Sequence, residues 1–207
     1  MSSVFVATKP LQLINCFNIS TSQKKILLII DSFYGAKDIA KKKNLLTYFN
    51  NVYFFENEEK AYEWIIKNKI VINELYIDSD INKKKILYKL RNIKVYVYEE
   101  GVGTYKDIEY IPNRKIIGGL YLKILKLLGY NNRRGGDRHV DGLIVYQKEF
   151  YLKKIKTNKT IKSFKNSFLE NIETINKSHL FKEPLNFRNF LNSKVFLSVG
   201  DWERHHP

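Results

Sequence analysis

The sequence predicts an α/β fold, a Rossmann-like three-layer domain with a mainly parallel sheet, on three observations. Short apolar runs alternate with amphipathic stretches from the first residues to Gly103. The apolar runs are continuous rather than alternating, as strands covered on both faces are. Each intervening stretch is long enough to carry a helical crossover between parallel strands.

The elements follow in order. "VFVATKP" reads as a strand ending at Pro10, and "PLQLINCFNIS" as a helix with proline at its first position, where the missing N–H costs nothing. "KKILLIID" is a second strand, and "GAKDIAKKKNLLTYF" has apolar residues near helical spacing. "VYFFE" is a third strand; "NEEKAYEWIIKN" is a helix with acidic residues in its first turn, where the macrodipole favours them. "ELYIDSD" is a fourth strand, "INKKKILYKLRN" a helix, and "KVYVYEEG" a fifth strand. Beyond Gly103 the alternation weakens. "KIIGGLYLKILKLLGY" reads as a helix despite its glycines, "NNRRGGDRHVDG" as a loop, "LIVYQKEF" as a strand, "TIKSFKNSFLENIETINKS" as a helix and "KVFLSVG" as a last strand. Residues 1–190 are read as one Rossmann-like domain, and 191–207 as the start of a truncated second domain or a non-native tail.

Composition narrows the class. A hydrophobic content of 44% with 14% aromatic residues excludes a disordered chain. No uncharged apolar run reaches the roughly 18 residues that would span a bilayer. "MSSVFVATKP" lacks a charged leader with an apolar core, so a cytoplasmic protein is expected. Cys16, the single cysteine, is read as a small core residue. A net charge of +15 invites a nucleic-acid or anionic-membrane reading. The lysines come with abundant Ile and Asn, however, and "AKKKN" and "NKKK" fall on solvated helix faces, with no zinc-finger or helix-turn-helix signal. No specific nucleic acid is expected, and the basic surface suits peripheral contact with an anionic inner membrane.

Candidate chemistry gathers at "KVYVYEEGVGTY". Ligands of open parallel sheets collect outside the carboxyl ends of the strands, and Glu99 and Glu100 fall at that edge. Adjacent residues on an extended segment point in opposite directions, so one carboxylate faces a cleft while the other orders the backbone. Gly101 and Gly103 allow positive φ and close approach of a ligand. The alternative is an acidic turn after a strand, and spacing alone does not separate the two. Asp78-Ser79-Asp80 carries two readings: an Asp-x-Asp metal site on a nucleotide diphosphate, or, as favoured here, a cap for the helix that follows. In the glycine-containing loop, Arg133, Arg134 and Arg138 could grip an anionic ligand with His139 beside them, or form a solvated basic surface.

"VYEEGVGTY" resembles the acidic-acidic-Gly motif of bacterial lipooligosaccharide sialyltransferases and capsular polysialyltransferases, a glycosyltransferase family 52-like group. "VFVATKPLQLINCFNI" looks like the opening of those enzymes, and "GGDRHVDGLIVYQKEFY" is similar to the stretch they carry after the acidic motif. The resemblance implies the N-terminal half of a GT-B glycosyltransferase that moves sialic acid, or a related sugar, from a CMP donor to a capsular or lipooligosaccharide glycan, with inversion. It implies Glu100 as catalytic base with Glu99 in support, and no cofactor or metal; Gly101, Gly103, Arg133, Arg134, Arg138 and His139 stand as substrate-binding candidates on the reading of the residues themselves. Related enzymes use a His-Pro motif against the leaving phosphate, which makes His206 the phosphate-assisting candidate. "DWERHHP" departs in composition from the rest of the chain, so a tail is the preferred reading. The 207-residue chain alone is then expected to transfer little sugar and to bind CMP no tighter than about millimolar. Two rival readings are a basic nucleic-acid-binding domain and a catalytically silent remnant.

Overall fold

The computed structural model describes residues 1–105, 123, 124, 127, 128 and 133–177. Seven strands form one all-parallel sheet in the order β3-β2-β1-β4-β5-β6-β7. They are β1 (Ser2–Ala7), β2 (Lys24–Ile30), β3 (Asn51–Phe55), β4 (Ile72–Ile77), β5 (Lys94–Tyr98), β6 (Gly142–Val145) and β7 (Thr160–Ser163). The helices are α1 (Pro10–Phe17), α2 (Ala36–Ala40), α3 (Glu58–Lys67), α4 (Lys84–Lys89), α5 (Lys148–Lys154) and α6 (Phe168–Lys177). The order reverses between β1 and β4, so the crevice beside these strands is the topological switch point.

Strand periodicity divides the core into two layers. Val4, Val6, Val95 and Val97 face one side, where Ala61, Tyr62 and Ile65 of α3, Leu87 of α4 and Tyr151 of α5 cover them. Phe5, Ala7, Tyr96 and Tyr98 face the other, against Leu13 and Cys16 of α1, Ala36 and Ile39 of α2, and Ile172 and Ile175 of α6. Successive side chains of a strand point to opposite faces, so a centrally placed strand is apolar over most of its length. β1 is buried throughout, whereas only Ile161 of β7 is buried, as suits an edge. Burial pushes the Cys16 thiol up to about 12, consistent with a small core residue.

Four elements differ from expectation. The helix expected over 35–49 breaks after Ala40 and resumes as a 3₁₀ turn, Lys43–Thr47, which drops Leu45 and Phe49 into the core. α4 is shorter than predicted, and no side chain caps it. β6 stops at Val145, because the Tyr146 N–H turns to the Glu99 carboxylate, and "KEF" opens α5 instead. "TIKS" forms β7, beside β6, before α6 begins. Of the helix expected over 115–130, the described residues Lys123, Ile124 and Leu127 are helical. The "KVFLSVG" strand, the boundary at 190 and His206 lie outside the described residues. No helix among the described residues is long and apolar enough to cross a membrane.

Candidate active site

Tyr98 ends β5, yet the Glu99 N–H still donates to Ile144 O at 2.8 Å, so the chain keeps its extended direction to that point. The two glutamates therefore diverge, as strand geometry requires. Glu99 turns inward. Its carboxylate accepts the Tyr146 N–H at 2.8 Å and the Tyr105 hydroxyl, while its carbonyl accepts from Asn15 Nδ2 at 2.6 Å. The Tyr146 hydroxyl closes the set by donating to Asn15 Oδ1 at 2.7 Å. Burial pushes the Glu99 carboxyl up from its ordinary 4.5, against the two hydrogen bonds that favour its charged form. Glu99 thus ties the end of β5 to α1 and to the turn before α5.

Glu100 turns the other way. Lys9 Nζ reaches its Oε1 at 3.0 Å, Gln12 Nε2 reaches the same oxygen at 3.3 Å, and Arg134 forms an ion pair with Oε2. The Glu100 N–H donates to Thr104 Oγ1 at 3.2 Å across the turn. Gly101 makes that turn at φ 109°, as expected. Gly103 does not have positive φ; it sits inside the 3₁₀ turn Val102–Tyr105. The Gln12 amide is held from behind, where its Oε1 accepts both the Thr8 N–H and the Thr8 hydroxyl at 2.6 Å. Its NH₂ consequently faces two acids, donating to Asp78 Oδ2 at 2.8 Å as well as to Glu100.

Arg134 arrives through Asp80. That carboxylate, 3% exposed, accepts the Gly135 and Asp137 N–H groups at 2.8 Å each and pins the loop to the end of β4. Gly135 has φ 70°, and a Cβ there would lie 2.6 Å from Leu143 Cδ1, so both backbone and space require glycine. This arrangement corrects the capping expectation: Asp80 holds a distant loop, Ser79 Oγ accepts the Ile81 N–H at 3.2 Å, and Lys83 stands at the N-cap of α4. Nor do Asp78 and Asp80 act as one pair, since each engages different partners; among the described residues no group of three or more His, Cys, Asp or Glu side chains is arranged to hold a metal ion. Of the loop's four candidate residues, Arg134 comes to Glu100. Arg133 donates to Lys156 O at 2.9 Å, and Arg138 Nε to His139 Nε2 at 3.2 Å. His139 packs edge-on against Tyr88, 5.8 Å between ring centres, and burial lowers its pKa from 6.5.

A cleft of about 320 Å³ opens over the carboxyl ends of β1 to β4, walled by Thr8, Asp31, Ser32, Glu56, Asn57, Glu58, Asp78 and Lys83. Gln12 stands between this cleft and Glu100. Burial raises the Asp78 carboxyl from its ordinary 3.8; nearby Lys83 opposes the shift and Glu100 adds to it. A raised carboxyl favours the folded state below 3.8, and that advantage is lost as pH rises through the elevated value. Asp78→Asn removes the titration. The melting temperature of the variant should therefore gain on wild type as pH rises from 4 toward neutrality and fall back on acidification; a pH-independent difference would refute the assignment.

Lys9, Gln12 and Asn15 are the site residues that sequence reasoning missed. Their signal was present as polar residues at every third position of an otherwise apolar helix, which lines them along one face. Gln12 and Asn15 are almost fully buried, and buried amides in such a helix require partners.

The family model for alpha-2,8-polysialyltransferase (POLYST) matches residues 37–199. That span contains Asp78, Asp80, both glutamates and the arginine loop. Among curated proteins none matches the chain. With more than half its length matched, the chain belongs to the alpha-2,8-polysialyltransferase family, and hence to the sialyltransferase-type glycosyltransferases.

Proposed function

We propose that this unit is the acceptor-side, N-terminal half of a GT-B enzyme that transfers sialic acid from CMP-sialic acid to a sialylated surface glycan of the capsular or lipooligosaccharide type, with Glu100 as the base. One observation carries the reading: a carboxylate stands at the carboxyl edge of the sheet, one amide away from the switch-point cleft, oriented by Gln12 and flanked by two cations. An acceptor hydroxyl is a weak nucleophile, and a carboxylate within hydrogen-bond reach takes its proton as the new C–O bond forms. In the same step the bond from the anomeric carbon to the CMP phosphate breaks, its electron pair stays with the phosphate, and the anomeric centre inverts. Arg134 and Lys9, both paired with Glu100, supply the positive charge that the carboxylate of an anionic acceptor calls for beside the base. No metal is required on this reading, because CMP leaves as a monophosphate that protein donors can stabilise. The basic surface, at net charge +15, suits a peripheral cytoplasmic position against anionic lipid beside the acceptor.

Saturation-transfer NMR of the chain with an α-2,8-linked sialic acid oligomer tests the reading. The oligomer should bind, and EDTA should leave that binding unchanged, as it should leave transfer by a form of the enzyme that carries the nucleotide-binding domain. Failure to bind the oligomer, together with duplex DNA binding that falls steeply with salt and survives Glu100→Gln, would establish the nucleic-acid reading instead.

A further inference from the structure

We infer that the cleft over β1 to β4 is a subsite for the hydroxyl-bearing side chain of the acceptor sugar, with Asp78 Oδ1 accepting a hydrogen bond from a hydroxyl next to the one that reacts. The inference rests on the sialyl-acceptor reading above. Asp78 is 8% exposed and lines the cleft. Its Oδ2 is taken by Gln12, whereas Oδ1 is buried with no hydrogen-bond partner among the described residues. A buried carboxylate oxygen without a donor costs stability, so the position favours a ligand that brings one.

The walls specify what that ligand carries. Asp31, Glu56, Glu58 and Asp78 line the cleft, and the one lysine among the lining residues, Lys83, is already paired with Glu58 at 2.9 Å. Within a strongly basic protein this recess is acidic, so it repels phosphate or carboxylate and accepts hydroxyl donors. A sialic acid acceptor offers both kinds of group at opposite ends: a carboxylate on the ring carbon that bears the glycosidic bond, and a three-hydroxyl side chain that includes the C8 hydroxyl. Its anionic end suits Lys9 and Arg134. Its side chain suits two acids joined through one amide, Glu100 at 3.3 Å and Asp78 at 2.8 Å from Gln12 Nε2. Glu100 meets the reacting hydroxyl while Asp78 holds its neighbour, which makes Asp78 a specificity-determining residue.

The test is a cycle of two proteins and two probes. Wild type and Asp78→Asn are titrated with an α-2,8-linked sialic acid oligomer and with the same oligomer after mild periodate cleavage and borohydride reduction, which removes C8 and C9 of the terminal residue. Asp78→Asn should weaken binding of the intact oligomer about tenfold, as loss of a hydrogen bond to a charged group does. It should make little difference to the shortened probe, because the C9 hydroxyl, the neighbour this subsite holds, is gone with C8. The variant should melt at or above the wild-type temperature at pH 7, which a merely structural carboxylate would not do. Equal binding of the intact oligomer by both proteins overturns the subsite while leaving the sialyl-acceptor reading standing. Failure of wild type to bind either probe overturns that reading itself.

Discussion

Assayed with CMP-sialic acid in a form of the enzyme that carries the nucleotide-binding domain, Glu100→Gln should lower sialic acid transfer by about two to four orders of magnitude, the range lost with a general base. The amide keeps the shape of the side chain and can still accept from Lys9 or Arg134, but it cannot take a proton from the attacking hydroxyl. Folding should survive, since Lys9 is partly exposed and can recover water contacts. Glu99→Gln makes the contrast. Its carboxylate accepts from the Tyr146 N–H and the Tyr105 hydroxyl. An amide there presents its own NH₂ to one of those partners. The result should be about 1–3 kcal/mol of lost stability with a smaller fall in turnover. Paired measurements of kcat and thermal melting separate the two cases: equal, small effects on transfer at both positions would reduce the pair to an acidic turn.

Asp80→Ala should be the most destabilising single change at the site. It leaves the Gly135 and Asp137 N–H groups, both in a buried loop, without their acceptor. Two orphaned buried donors cost roughly 2–4 kcal/mol together, or about 5–15 °C in Tm for a chain of this size. Function should follow, because the released loop carries Arg134 away from Glu100; transfer should fall at least as far as in Arg134→Ala, which keeps the loop pinned. A melt within about 1 °C of wild type would show that other contacts hold the loop.

The succession of strands and helices was legible because a strand covered on both faces is apolar where it is buried, and the runs 4–7, 26–30, 75–77 and 95–98 of β1, β2, β4 and β5 obey that rule in plain sequence. The divergence of Glu99 and Glu100 was legible for the same geometric reason. β7 was not: only Ile161 is buried in "TIKS", and an edge strand leaves too faint an apolar pattern to distinguish from the start of a helix. The break after Ala40 was hidden as well, because Leu45 and Phe49 keep near-helical spacing while the tighter turn is imposed by the core they enter.

Sequence by itself determined the layered α/β architecture, the placing of two acids at the carboxyl edge of β5, and the resemblance that the family match supports, because all three depend on local periodicity and contiguous motifs. Tertiary structure alone decided what each acid touches. Asp80, next to a helix start, reads as a cap until a loop 55 residues further along the chain supplies its donors. Gln12, an unremarked residue of the first helix, joins Asp78 to Glu100 across separations of 66 and 88 residues. Hydrogen bonds of that span depend on how strands are ordered in the sheet, and strand order follows from packing the whole core rather than from any short stretch of chain.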